Sequence, residues 1–341
     1  MDTRKAHRVG NSSIAITLPH EWVKNNCINP GDVLSVHEVN DDALLINNSN
    51  NNSKSSISKK FEVQSTTPSE HLRRLLIGSY IVGANEIEFF CVDSVFKTTQ
   101  LEALNDCIGR LNGFLVTKQT EEYFCVQNYL KPTGTLFDNH LRQLLSNTMG
   151  LVNIIPTLIA NPGNAEYSRK ALALGDQSDI IYYLILRILL STCSDRSLMI
   201  ELGFDSTQEV VGGRLIAKTL EEICDRVEIL ANLTGRHEKG AWELNKQMKD
   251  ALIDVIEEIN ELIEDSVDSY FSGSVNMPDS AIQKLYELEQ QHFAPRQSLI
   301  DERTDAQTST ALMQIHSLIF EIIRLSRGIA EVSMNNSIRR M

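Results

Sequence analysis

The period of the hydrophobic positions changes along this chain, and each change marks a different kind of element. Near the start, Ile14, Ile16 and Leu18 alternate with Ala15 and Thr17, the period of a half-buried strand. Pro19 follows, and a missing N–H costs least in the first turn of a helix, so a short helix is predicted to open there. Pro30, Gly31 and Asp32 signal a turn. Beyond it Val33, Ser35, His37 and Val39 share one strand face, with Leu34, Val36 and Glu38 on the other. A last short strand is predicted over 44–46. Residues 1–47 thus read as a small β-rich module. Residues 48–60 are dominated by Asn, Ser and Lys, carry no period and are expected to be a flexible linker.

Residues 61–130 form a second pattern. Thr67, Pro68 and Glu70 have the spacing of a capping box with Thr67 as the N-cap. Leu72, Leu75, Leu76, Ser79 and Tyr80 then keep helical spacing, and 86–92 reads as a strand. A second helix starts at Thr98 or Thr99, carries Leu101, Leu104, Ile108 and Leu111 on one face, and is expected to end at Gly113. A hairpin over 114–117 and 123–126, joined through 118–122, closes an αβαββ order. The expectation is a small α+β unit that serves as a scaffold or in dimerisation.

From 135 to 341 the strand signals vanish. Helices are predicted near 135–160, 165–192, 207–236, 240–271, 279–291 and 296–335, lengths that suit two three-helix units. The fold class is therefore multidomain α+β: a small β-rich domain, a small α+β unit, then mainly α helical bundles.

Charge limits what such a chain can bind. The 341 residues carry a net charge of -13, so any contact with a polyanion is local. Arg4, Lys5 and Arg8 supply a local positive arm, which without its flanking module would read equally well as a solvated terminus. The six cysteines are scattered without CxxC spacing and suit a reducing cytoplasm. No signal peptide opens the chain, and Arg187 interrupts the longest apolar run, Ile180 to Leu190. A cytoplasmic protein without membrane insertion is expected. No phosphate-binding loop, nucleophile elbow or zinc-binding histidine spacing occurs, so no enzyme is expected. Gly212 and Gly213 lie inside a helical pattern and read as a local kink or a close helix contact.

Arg4, Lys5, residues 10–13, residues 16–19, Trp22 and the run of Ile28, Pro30, Gly31, Asp32 and Val33 resemble the AbrB/SpoVT family of DNA-binding modules. The resemblance spans 1–47 and implies a homodimer with swapped hairpins. So short a module does not bury an adequate core alone. DNA contact is expected from Arg4, Lys5 and Arg8 on phosphates, with Asn11, Ser12 and Ser13 as hydrogen-bonding partners.

Residues 169–190 and 215–231 are similar to the PhoU family, duplicated three-helix bundles that regulate phosphate uptake; the similarity spans about 135–335. The order of the three parts resembles archaeal phosphate uptake regulators that carry an AbrB-like domain. It implies a transcriptional regulator acting at promoter DNA, with the bundle as sensor. The alternative is an interaction protein whose bundle binds a phosphate transporter's ATPase or a signalling protein, the front module only dimerising.

PhoU bundles carry acidic pairs at i, i+4 that ligate metal clusters. Glu221 and Asp225 have that spacing and match the family's pair, on one helix face. In the preceding helix Asp179 matches the second acid, while Gly175 stands at the first and Asp176 offers a substitute at i, i+3. A divalent, iron or zinc ion on the first repeat is one implication; solvated acids on a surface helix are the other. In the second repeat the corresponding residues are Phe320 and Arg324, and that arginine repels a cation. Glu257, Glu258, Glu261, Glu264 and Asp265 read as a solvated helix edge. Arg324, Arg327, Arg339 and Arg340 make the C-terminus basic, to complement a helix dipole or meet an acidic partner.

Overall fold

The computed structural model describes residues 3–10, 12–40, 43–48, 57–130, 136–194, 196–243, 246–293 and 306–341. The chain divides into two compact units, 1–56 and 57–341.

In the first unit β1 (His7–Val9) and β2 (Ser13–Ala15) form a tight antiparallel hairpin with Arg8 opposite Ile14. The strand ladder stops at Ala15, short of the alternation that continues to Leu18. α1 (His20–Asn25) opens directly after Pro19. The turn at 29–32 is closed from both sides: Asp32 N–H donates to the Asn29 carbonyl at 3.1 Å, and the Asp32 carboxylate accepts from Asn29 N–H at 2.7 Å. β3 (Leu34–Asn40) and β4 (Ala43–Asn48) make a second antiparallel hairpin, longer than the sequence implied. No residue of this unit whose burial is described is buried; Ile14 is 74% exposed, and Val33, Val36 and Leu44 also lie open. A unit that exposes its apolar residues has no core of its own.

The second unit begins with β5 (Ser58–Val63), inside the stretch expected to be linker; residues 49–56 lie outside the described residues. Ser58, Lys59 and Lys60 are polar and exposed, so only Phe61 and Val63 betray the strand. α2 (Ser69–Ile81), β6 (Glu86–Cys91), α3 (Thr98–Ile108), β7 (Phe114–Gln119) and β8 (Tyr123–Asn128) follow. The order is βαβαββ rather than αβαββ. The sheet runs β5-β6-β8-β7, with β5 parallel to β6 and the other pairs antiparallel. Leu72, Leu76 and Tyr80 of α2 and Leu104 of α3 pack with Ile87, Phe89, Phe124 and Val126 of the sheet.

Two expected caps differ. Pro68 occupies the N-cap of α2, while Thr67 Oγ1 accepts from Gln64 N–H at 3.0 Å and so closes the preceding turn. Gly109, not Gly113, follows the last turn of α3.

The bundle comprises α4 (Leu136–Ala160), α5 (Ala165–Ser194), α6 (Arg196–Glu201), α7 (Thr207–Gly235), α8 (Lys246–Ser272), α9 (Asn276–Phe293) and α10 (Ala306–Arg339). α4, α5 and α7 pack together, as do α8, α9 and α10; α7 against α10 and α4 against α8 join the two sets. One core runs through both, including Leu144, Ile185, Leu220, Ile223, Val227, Ile263 and Ile322. α6 was not foreseen. α8 starts at Lys246 rather than near 240, and the predicted start of the last helix near 296 lies outside the described residues. A Cβ at Gly213 would fall 2.6 Å from the Phe137 ring, so the glycine pair marks a close helix contact. Segment Phe137–Ala160 is long and apolar enough to cross a bilayer, which the apolar-run criterion did not register. In this fold its apolar stripe packs against α5, α7 and α8. The basic C-terminus finds its acidic partner within the chain: Arg339, at 3.5 Å, and Arg340 both pair with buried Glu209.

Arg187 fastens the α+β unit to the bundle. It lies on α5, is 7% exposed, and donates to the Tyr80 carbonyl at 2.6 Å and to Asn85 Oδ1 at 3.3 Å. Its guanidinium stands 4.9 Å from the Tyr80 ring centroid and 5.3 Å from that of Phe114. Ile81 and Tyr183 extend this contact by packing on both cores. Arg187→Ala leaves the Tyr80 carbonyl with only its bond from Gly83 N–H at 3.1 Å, strips the guanidinium from two aromatic rings, and should cost about 2–4 kcal/mol. Urea unfolding should show an earlier midpoint, with faster amide exchange in α2 and β6; an unchanged midpoint would contradict the assignment.

Candidate cation and nucleic-acid sites

Helices α5 and α7 run antiparallel. Ser168 Oγ donates to the Ala231 carbonyl at 3.0 Å near one end, Gly175 meets Glu228 further along, and Asp179 lies beside Asp225 beyond that. Leu220, Ile223, Cys224 and Val227 of α7 point into the core. The helical repeat then sets Glu221, Asp225 and Glu228, four and three residues apart, in one stripe beside them.

Three of the four expected acids converge. Carboxylate oxygens of Asp179, Glu221 and Asp225 all lie within 4.8 Å of one another, with Glu221 more deeply buried than the half-buried Asp179 and Asp225. Asp176 does not join them; it is exposed and pairs with Arg110 of the α+β unit at 2.8 Å. Arg110 also approaches Asp179, at 3.9 Å. Lys218 pairs with Glu221 and, at 3.5 Å, with Glu222.

Glu228 is the acid that sequence reasoning missed. A Cβ at position 175 would fall 1.7 Å from Glu228 Oε1, so the glycine standing where the family pattern expects an acid makes room for a carboxylate from the opposite helix. Two signals were available: Glu228 lies seven residues after Glu221, and a helical glycine faces it.

Burial and mutual repulsion hold protons on this cluster. Desolvation, reinforced by Asp225, pushes Asp179 up to about 6. Desolvation, then Asp179 and Asp225, push Glu228 up to about 7. Glu221 and Asp225 are also raised, desolvation being the first cause for each. Such a cluster is short of positive charge, and its donors are all oxygen, the chemistry that hard and borderline divalent ions accept. Arg110 and Lys218 are the protein's own stand-in cations. Cys224 is turned away, with its sulfur 3.3 Å from Thr148 Oγ1. The residues present therefore fit a divalent ion held by Asp179, Glu221 and Asp225, with Glu228 alongside.

In the second repeat the corresponding place holds ion pairs. Arg324 lies 3.7 Å from Glu289, and Arg327 pairs with the same carboxylate and with Glu331 at 3.4 Å.

The expected DNA-binding residues belong to the first unit. Arg4 and Lys5 precede β1, Arg8 lies within it, Ser12 is in the hairpin turn and Ser13 opens β2; all five are exposed. Asn11 lies outside the described residues. In the first hairpin Arg8 stands opposite Ile14 and Ser13 opposite Val9, so these two side chains take opposite faces of the ribbon, with Ser12 in the turn between the strands.

Comparison with known proteins gives a family match inside the first unit. Residues 8–52 match the family described as antidote-toxin recognition MazE, bacterial antitoxin. No curated protein matches the chain significantly. Among solved structures, PhoU from Pseudomonas aeruginosa is similar over 60% of this chain and 96% of its own, at 14% identity and a TM-score of 0.42.

The acid cluster makes stability fall as pH rises. Asp179 and Glu228 keep protons in the folded state that the unfolded chain releases near pH 4–5, so the folded state loses ground between about pH 4.5 and 7. Both groups are half-buried, and after solvent screening the loss should be on the order of 1–2 kcal/mol. Gly175→Ala, which expels the Glu228 carboxylate, should flatten this slope. Urea unfolding at pH 5 and pH 8 checks both statements, and an identical slope in the variant would contradict them.

Proposed function

We propose that this protein is a non-catalytic, DNA-binding transcriptional regulator of phosphate uptake. In this reading the first unit dimerises and holds promoter DNA, and the bundle acts as sensor. The observation that carries it is an exposed basic hairpin on a module in which no residue of described burial is buried. A second copy of the module covers the open apolar residues, and dimerisation doubles a basic arm too small to act singly. The match of residues 8–52 to the MazE family supports this role for the module. Resemblance of the helical region to PhoU bundles supports the link to phosphate. The overall negative charge keeps the remaining surface off the polyanion.

A divalent ion on Asp179, Glu221 and Asp225 supplies the positive charge those acids lack. Asp179 comes from α5 and the other two from α7, so cation binding tightens the seam between the helices. Through such a seam the occupancy of a small ligand can shift the population of binding-competent states.

A second reading, a bundle that acts by binding a protein partner, draws on one feature. Val211, Leu215 and Ile338 are exposed together along a groove of about 440 Å³ between α7 and α10. A transporter ATPase or a signalling protein is the partner class in that case.

Charge reversal separates the two readings. In Arg4→Glu/Lys5→Glu/Arg8→Glu, the slope of log affinity against log salt should shallow by about one for each phosphate no longer neutralised, and affinity should collapse at moderate salt. Fluorescence anisotropy on a duplex measures it. Unaltered DNA binding would remove the arm from the account, and no binding by the parent chain would favour the partner reading.

A further inference from the structure

Arg110 is the α+β unit's contribution to the acid cluster of the bundle. It stands just after α3, where its N–H donates to the Cys107 carbonyl at 3.0 Å. Its neighbours Cys107 and Leu111 are buried in the core beneath the sheet. The guanidinium leaves that core and crosses to α5, where Nη2 lies 2.8 Å from Asp176 and Nη1 3.9 Å from Asp179. Asp179 is thereby shared. It is the α5 member of the converging carboxylates, and it is also the residue that a side chain of another structural layer reaches.

We propose that Arg110, held beside the cluster by Asp176, is a built-in counter-cation that competes with a divalent ion for Asp179, so that loading the cluster loosens the α3 end of the α+β unit. The inference rests on the reading of the cluster as a cation site. An ion held by the Asp179 carboxylate faces the guanidinium across a single carboxyl group, and like charges at such range in a half-buried site repel strongly. One carboxylate cannot serve both fully. With the ion absent, the arginine supplies part of the missing charge and ties the α+β unit to α5. With the ion present, that tie is weakened, while the buried anchor at Arg187 on the same helix remains. Lys218 does not do the same work, because it sits on α7 beside Glu221 and links no second layer.

The test uses the full chain and Mn²⁺ as the probe. Titration calorimetry at low ionic strength compares the parent with Arg110→Gln, Arg110→Lys and Asp179→Asn/Asp225→Asn. Hydrogen exchange follows amides 105–113 with and without the ion. Removing the competing charge in Arg110→Gln should tighten Mn²⁺ binding by about tenfold, and Arg110→Lys should return it toward the parent value. Mn²⁺ should speed exchange at 105–113 in the parent and change little in Arg110→Gln. The Asn double variant should not bind the ion. Equal affinity in the parent and Arg110→Gln, or weaker binding in the variant, overturns the competition while the cation site stands. No Mn²⁺ binding by the parent or Arg110→Gln overturns both.

Discussion

The antiparallel seam between α5 and α7 is the constraint on which the rest of the larger unit depends. Apolar residues of both helices close the bundle core, and the same helical repeat carries acids to the rim of that contact. Close packing fixes the two helices, so Asp179, Glu221 and Asp225 cannot separate without opening the core. Their repulsion is held in place by hydrophobic burial. Raised proton affinity, ion pairs to Lys218 and Arg110, and a fit to a divalent ion are three responses to that one deficit of positive charge. α5 matters further because about two turns on from Asp179 it carries Arg187, the buried anchor of the α+β unit. A single helix therefore connects the cluster to the sheet layer.

The first unit is built on a different principle. Its hairpins satisfy backbone groups and leave apolar side chains open, so its stability requires a partner surface. Assigning that partner to a second copy makes dimerisation and the proposed DNA contact one event: two basic hairpins come together only when the apolar residues are covered. The two units thus divide the work by charge. The small one concentrates its positive charge on a hairpin arm, and the large one gathers acids into a cluster short of positive charge.

Much of this was legible in the sequence, for physical reasons that also explain the failures. Long helices announce themselves through apolar spacing, and α4, α5 and α7 lie close to their expected bounds. β5 was missed because its first three residues are polar and exposed, which hid a strand inside an apparent linker. Thr67 has the spacing of a cap, but a preceding turn uses its hydroxyl, a competition that spacing alone does not reveal. At the acid cluster, the resemblance to PhoU bundles, with its i, i+4 acidic pair, pointed to Glu221 and Asp225. It did not find Glu228, because the sign of that residue lies across the seam, in the space left by Gly175. Arg187 looked like an interruption of an apolar run until its partners in the other layer were visible.

The most direct test of the account is DNA-binding anisotropy over a salt series from about 50 to 200 mM, comparing the full chain with one lacking residues 1–56. The probe is a phosphate-transport promoter, with a scrambled duplex as control. The account predicts promoter-preferring binding that weakens steeply with salt and disappears on truncation. Binding that survives truncation, or no binding by either form with phosphate and a divalent ion present, would contradict it.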